Sequence, residues 1–247
     1  MERRMIELNH VSKCFDNFNA IGDISLSASE NEFIALVGPG RCGKTTLINL
    51  MSGLDKASSG EIYVDGALVD KPGAERGVVF QTTLLFPWLN VLKNVAYGPI
   101  SRGLSRKESY DLAQRYIDLV GLTGFEKAFP VQLSGGMKQR VGIARVYCSG
   151  SKVIFMDEPF GHLDAQTRYY MQQELDRVWQ TEKKTIVFVT NNIEEAIYLA
   201  DRVLVMTNCP STIKAEFKID LPRPRSYVSE EFLKCRKLIS SVIDPTE

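Results

Sequence analysis

The chain has 247 residues, with 30 basic residues balancing 30 acidic ones at a formal net charge of zero. That length suits one sizeable α/β domain with its own core, and the balance removes the global basic field typical of nucleic-acid binders. The cysteines Cys14, Cys42, Cys148, Cys209 and Cys235 are odd in number and show neither CxxC nor metal-ligand spacing, so reduced cytosolic thiols are expected.

The start, MERRMIELNH, is too polar for a secretory leader. No apolar run approaches the ~20 residues a membrane span needs. The expectation is a soluble protein that meets a membrane only through a partner. In chain order, residues 5–30 and EIYVDGALV read as antiparallel hairpin material. EFIALVG, GVVF, VIFMD, TIVFVT and RVLVM are short β-type runs, several continuously apolar, as strands buried on both faces of a parallel sheet are. Helical patterns fall near 44–52, 105–120, 136–147, 166–181 and 193–200. Alternating strands and helices predict a mainly parallel α/β core. The stretch from Gln81 to about Gly150 is mostly helical and reads as an insertion.

GPGRCGKTT at 38–46 follows the strand FIALV and opens a helix, fitting G-x-x-x-x-G-K-[ST] from Gly38 to Thr45. In such a loop, consecutive backbone N–H groups and the helix amino end form a nest for phosphate. Gly38, Pro39, Gly40, Arg41, Cys42, Gly43, Lys44, Thr45 and Thr46 are therefore the candidate nucleotide cradle. Lys44 is placed for the β- and γ-phosphates, and the Thr45 hydroxyl for Mg²⁺. VIFMDEP at 153–159 sets Asp157 at a strand end as a Mg²⁺ holder, and Glu158 beside it as the general base for water. LSGGMKQR places Ser134, Gly135 and Gly136 at another helix amino end, a second anion site. One ATP cannot easily use both sites of one molecule, so two subunits that complete each other's sites are expected.

On these motifs the chain resembles the ATP-binding subunits of ABC transporters over essentially its whole length. The resemblance implies a P-loop NTPase fold of ABC ATPase type. It has a mainly parallel core, an antiparallel β subdomain, an inserted helical subdomain near 84–150 and a C-terminal extension near 220–247, all within one domain, 1–247. It implies a head-to-tail dimer enclosing two ATP·Mg²⁺, with Ser134, Gly135 and Gly136 contacting the partner's nucleotide. Phe15 matches the aromatic that stacks on adenine, against the alternative of a core phenylalanine. Gln81 matches the glutamine that touches Mg²⁺ and the attacking water. Asp164 matches the aspartate of the loop that crosses the dimer interface.

LLFPWLNVLKNVAYG at 84–98 is either core or a groove for a short helix of a transmembrane permease, and its place after Gln81 favours the groove. FPWLNVLKNV, DEPFG, EEAIYLADRV and LPRPR together resemble the nitrate/sulfonate/taurine importer subfamily. LPRPR at 221–225 is otherwise expected to be a solvated extended segment. The implied role is to power uptake of a small, often anionic solute delivered by an extracytoplasmic binding protein, from the cytoplasmic face of the membrane. A non-transport ABC ATPase is the less favoured class. Repair members usually carry a long coiled coil between the ATP motifs, which this chain lacks, and translation members usually carry two such domains in tandem. The neutral charge also argues against nucleic acid.

The chain departs from the family pattern around the γ-phosphate. Asn191 stands where the family has a histidine; its amide can donate but never carries a proton charge. Losing one preorganised donor to a developing oxyanion typically costs about 10²–10³ in rate. Gly40 and Arg41 replace a serine and a glycine, and His162 stands for an alanine. Asn192 reads as a helix cap, with Glu195 completing a capping box. Two readings follow: hydrolysis persists with Asn191 as a weaker positioner, or the protein binds ATP and hydrolyses poorly as a regulatory or paired subunit. The first is preferred, because Glu158, Gln81, Lys44 and Asp157 are all present. A variant of it has His162 of the opposite subunit replacing the missing imidazole.

Overall fold

A computed structural model describes residues 3–243. The chain divides into two compact units, one of Met1–Gly73, Phe155–Glu158 and Lys184–Glu247, the other of Ala74–Ile154 and Pro159–Lys183.

The first unit begins with an antiparallel sheet in the order β2-β1-β4-β5. Strands β1 (Arg4–Phe15) and β2 (Phe18–Ser29) pair from Arg4 opposite Ser29 to Phe15 opposite Phe18. Strand β4 (Ser59–Val64) then turns into β5 (Ala67–Leu68) through Asp65 and Gly66, at φ 51° and 76°. Two consecutive left-handed residues match the right-handed twist of the flanking strands, which is why Asp-Gly makes a two-residue hairpin there.

The mainly parallel sheet of this unit runs β10-β9-β3-β8-β7. Every residue of β3 (Phe33–Val37) and β8 (Thr185–Val189) is buried. The same holds for β7 (Val153–Asp157), whose last residues belong to this unit. Each fully buried large aliphatic side chain stabilises by about 1.5–3 kcal/mol over an exposed one, so these runs are both core and register signal. Strand β3 pairs in parallel with β8 on one side and with β9 (Arg202–Met206) on the other. Helix α1 (Lys44–Ser52) leaves the β3 loop, and the carboxyl ends of the strands form the edge where ligands bind in open α/β sheets. A larger cleft of about 650 Å³ lies at the opposite ends. Its charges are engaged with each other, as in Arg202 with Glu32 at 3.2 Å and Glu216 at 3.3 Å.

Sequence reasoning missed β10 (Ile213–Lys218), which pairs antiparallel with β9 at the sheet edge, and a C-terminal helix (Glu230–Ile243). It also misread LPRPR. Arg225 is 7% exposed and donates to the carbonyls of Ile197 (2.6 Å) and Ala200 (2.5 Å). Arg223 donates to Asp201 at 2.8 Å. The segment is anchored rather than solvated because the last carbonyls of the helix Ile193–Leu199 lack intrahelical partners, and a guanidinium supplies donors to them.

The second unit contains β6 (Arg76–Val79), the start of β7, and a group of helices. Helices α2 (Val91–Ser101), α3 (Arg106–Leu119) and α4 (Gly135–Cys148) pack on one another, and α5 (Ala165–Thr181) packs on α4. Helix α3 starts with a full capping box between Ser105 and Glu108. Helix α2 was not foreseen; Pro99 lies inside it, near its carboxyl end, where it lacks the N–H that would bond the carbonyl four residues back. The buried Asn94 of α2 accepts from Phe86 N at 2.9 Å and donates to Leu89 O at 2.8 Å, tying the preceding aromatic loop to the helix. The stretch 84–98 is only partly core: Val91, Val95 and Ala96 of α2 are buried, whereas Leu84 and Trp88 of the loop and Tyr97 of α2 are 57%, 71% and 48% exposed.

Candidate functional site

In the first unit the glycine loop leaves the buried β3 and turns into α1 at Gly43, whose φ is 94°. A Cβ at Gly43 would sit 2.8 Å from Ile21 Cδ1, so neither the backbone angle nor the space admits a side chain. Arg41 has φ 62° without being glycine, a conformation that costs roughly 1–2 kcal/mol. The Lys44 ammonium is buried and donates to Gly38 O (2.9 Å) and Pro39 O (2.7 Å). A buried cation is thus held by carbonyls inside its own loop, with its charge at the phosphate nest.

Asp157 and Glu158 follow from β7 in the same unit. Oδ1 of Asp157 is buried and has no hydrogen-bond partner. Burial pushes its carboxyl above the usual value, while a hydrogen bond with Thr45 opposes that shift and the neighbouring Glu158 adds to it. An orphaned, desolvated carboxylate oxygen beside a threonine hydroxyl suits a hard divalent cation, which prefers oxygen donors. Thr45 and Asp157 therefore fit Mg²⁺.

Glu158 has a positive φ of 42°, and its N–H donates to Val189 O at 2.9 Å, locking the end of β7 to the end of β8. The Asn191 amide donates to Glu158 Oε1 at 2.6 Å. Asn191 thus touches the candidate base itself, a contact that sequence reasoning did not find. The next residue does cap a helix: Asn192 Oδ1 accepts from the N–H groups of Glu194 (2.8 Å) and Glu195 (3.2 Å). The expected capping box needs correction. Asn192 N–H donates to the Thr190 hydroxyl at 3.0 Å, and that hydroxyl donates to Glu195 Oε2 at 2.5 Å, so a hydroxyl relays the closure.

Phe15 is 44% exposed, with Lys13 Nζ 4.6 Å from its ring centre, which rules out the core reading. With Phe18, Arg41, Lys44, Thr45 and Glu158, it lines a pocket of about 210 Å³. An aromatic wall, a phosphate loop and a carboxylate therefore share one cavity. All five cysteines are free thiols, Cys42 being buried within the loop.

Gln81, Ser134, Gly135, Gly136, His162 and Asp164 belong to the second unit. Gln81 is exposed just past β6. Ser134 caps α4, accepting from Met137 N at 3.3 Å, and Asp164 caps α5, accepting from Thr167 N at 3.0 Å. The backbone N–H of Thr167 holds the Asp164 carboxyl below its usual range. The two helix starts meet, since a Cβ at Gly136 would lie 2.8 Å from Thr167 Cγ2. Ser134, Gly135, His162 and Asp164 are all exposed there.

Residues 21–161 match the family model described as ABC transporter, more than half of the chain. The chain belongs to the ABC transporter family. An uncharacterised ABC transporter ATP-binding protein of Methanocaldococcus jannaschii is 48% identical over 243 residues, 96% of this chain and 91% of that protein. The nitrate import ATP-binding protein NrtD of Synechocystis is 45% identical, over 91% of this chain and 88% of that protein. The aliphatic sulfonates import ATP-binding protein SsuB of Bacillus cereus is 40% identical, over 95% and 94%. The dimeric structure of the ABC transporter cassette MJ0796 superposes at TM-score 0.77 and 30% identity, covering 88% of this chain and all of that one. The chain is thus an ABC-type ATPase subunit of the nitrate/sulfonate importer subfamily, and its fold is the α/β P-loop fold of that family.

Proposed function

We propose that this subunit binds ATP·Mg²⁺ between two copies, or between itself and a related partner, and hydrolyses it to drive import of a small anionic solute through a membrane permease. The observation that carries a working ATPase is the Asn191–Glu158 contact at 2.6 Å: the candidate base is oriented by a donor that replaces the family's histidine. Phe15 stacks on the base of the nucleotide, Gly38 to Thr46 wrap its phosphates, and Thr45 and Asp157 would hold the metal, with Gln81 assigned to it by the family resemblance alone. When bound there, a divalent metal would supply positive charge to the phosphate oxygens. Glu158 takes a proton from the attacking water, and Asn191 keeps the carboxylate aimed, so the chain's part is positioning and electrostatics. Ser134, Gly135 and Gly136 act on the partner's nucleotide, and Asp164 belongs to the loop that crosses the dimer interface.

The permease reading is supported by the apolar surface of the second unit. Phe86 packs at 4.6 Å from Tyr97 and 5.6 Å from Trp88, while Trp88 remains 71% exposed. An aromatic patch of this kind suits the apolar face of a short helix. No helix among the described residues is long and apolar enough to cross a membrane. Membrane association then runs through the permease, at the cytoplasmic face, and a separate solute-binding protein delivers the cargo.

The test is ATP hydrolysis by the assembled transporter for wild type and Glu158→Gln. Wild type is expected to turn over while Glu158→Gln binds ATP without hydrolysing it. Equal rates with nucleotide still bound would instead establish the hydrolysis-impaired, regulatory reading.

A further inference from the structure

We propose that Arg41 is a terminal-phosphate ligand of this pocket, supplying the positive charge that the absent imidazole would have brought. The assignment rests on the ATP-binding reading above and deepens it. Its starting point is the backbone: Arg41 holds φ 62° in the middle of the phosphate loop, where a glycine would avoid the strain. The thiol of Cys209, in the segment after β9, donates to the Arg41 carbonyl at 3.4 Å, so the strained conformation is held from outside the loop.

The side chain is exposed, lines the pocket with Lys44 and Glu158, and makes no ion pair or side-chain hydrogen bond among the described residues. Two other donors at this end are engaged: Lys44 with the carbonyls of Gly38 and Pro39, and the Asn191 amide with Glu158. The preceding Gly40 has open space where a Cβ would be, so no side chain at position 40 stands beside Arg41. A planar, permanently charged fork matches two phosphate oxygens at once, which a lysine does not. Placed at the loop's outer turn, it discriminates the third phosphate from the second. The strain at position 41 is then retained for ligand recognition.

The experiment measures ATP and ADP binding with Mg²⁺, and thermal unfolding, in a Glu158→Gln background carrying Arg41→Gly or Arg41→Lys. Arg41→Gly is expected to weaken ATP about tenfold to a hundredfold, the usual effect of removing a charged hydrogen bond, and to leave ADP within about threefold. The same variant, relieved of strain, unfolds at a higher temperature. Arg41→Lys keeps the charge and recovers part of the ATP affinity. A higher unfolding temperature with undiminished ATP affinity would overturn the proposal, as would equal weakening of ATP and ADP. If the Glu158→Gln parent itself binds neither nucleotide, the underlying ATP-binding reading falls and takes this assignment with it.

Discussion

The Asn191 amide donates to the Glu158 carboxylate at 2.6 Å, joining the ends of two adjacent strands, β8 and β7. A neutral amide donor orients the carboxylate without bringing a charge to it. Asn191→Ala is expected to reduce kcat about tenfold to a hundredfold, the worth of one charged hydrogen bond. ATP affinity should change little. Steady-state hydrolysis together with equilibrium ATP binding separates the two effects.

Asn192 behaves differently because its side chain serves the backbone. Asn192→Ala removes a cap that accepts from two N–H groups and should destabilise the fold by about 1 kcal/mol. Hydrolysis per folded molecule should stay near wild type. Chemical denaturation beside the kinetic assay tells this asparagine from its neighbour.

His162 is exposed in the loop that leads to Asp164, on the surface expected to face a second subunit. If it stands in for the missing imidazole, His162→Ala slows hydrolysis in wild type and has little effect once Asn191→His is present. Acceleration by Asn191→His with no effect of His162→Ala in either background would remove His162 from the mechanism. The readout is the dimer's hydrolysis rate in a four-variant comparison.

Asp157 carries a pH signature. Burial raises its carboxyl pKa above the ordinary 3.8, opposed by Thr45 and Lys44 and reinforced by Glu158. A group that holds its proton more tightly when folded favours the fold at low pH and loses that contribution as pH rises through the raised value. Without a cation, ionised Asp157 is therefore destabilising at neutral pH, and Asp157→Asn should raise the unfolding temperature at pH 7. The gain should shrink under acid, where the wild-type carboxyl is protonated. The same variant should lose most of the stabilisation that Mg²⁺ with ATP gives wild type. Thermal unfolding across pH, with and without Mg²⁺-ATP, measures each part.

The exposed aromatic patch predicts a separation of functions. Trp88→Asp places a charge in an apolar surface while leaving the buried Asn94 anchor untouched. Isolated subunits should bind ATP normally, yet fail to co-purify with the permease.

Much of the architecture was legible because its signals are local. The phosphate loop announces itself through glycines and Lys-Thr at fixed spacing, and β3, β7 and β8 through unbroken apolar runs. Elements whose signals are mixed were not read. Helix α2 carries an internal proline, and β10 alternates along an edge where only half of its residues need be apolar. LPRPR reads as solvated because its arginines look free until the carbonyl ends of a helix are brought to them.

For the two asparagines at the end of β8, the sequence alone determined that a histidine was absent and that a helix began one residue later. Whether Asn191 had anything to act on was a tertiary matter. Its partner lies 33 positions earlier in the chain, and only the parallel pairing of buried strands brings the two ends together. Local composition specifies loops, caps and strands through short-range sterics and hydrogen bonds. Contacts across a sheet depend on strand order and register, which the packing of the whole core decides.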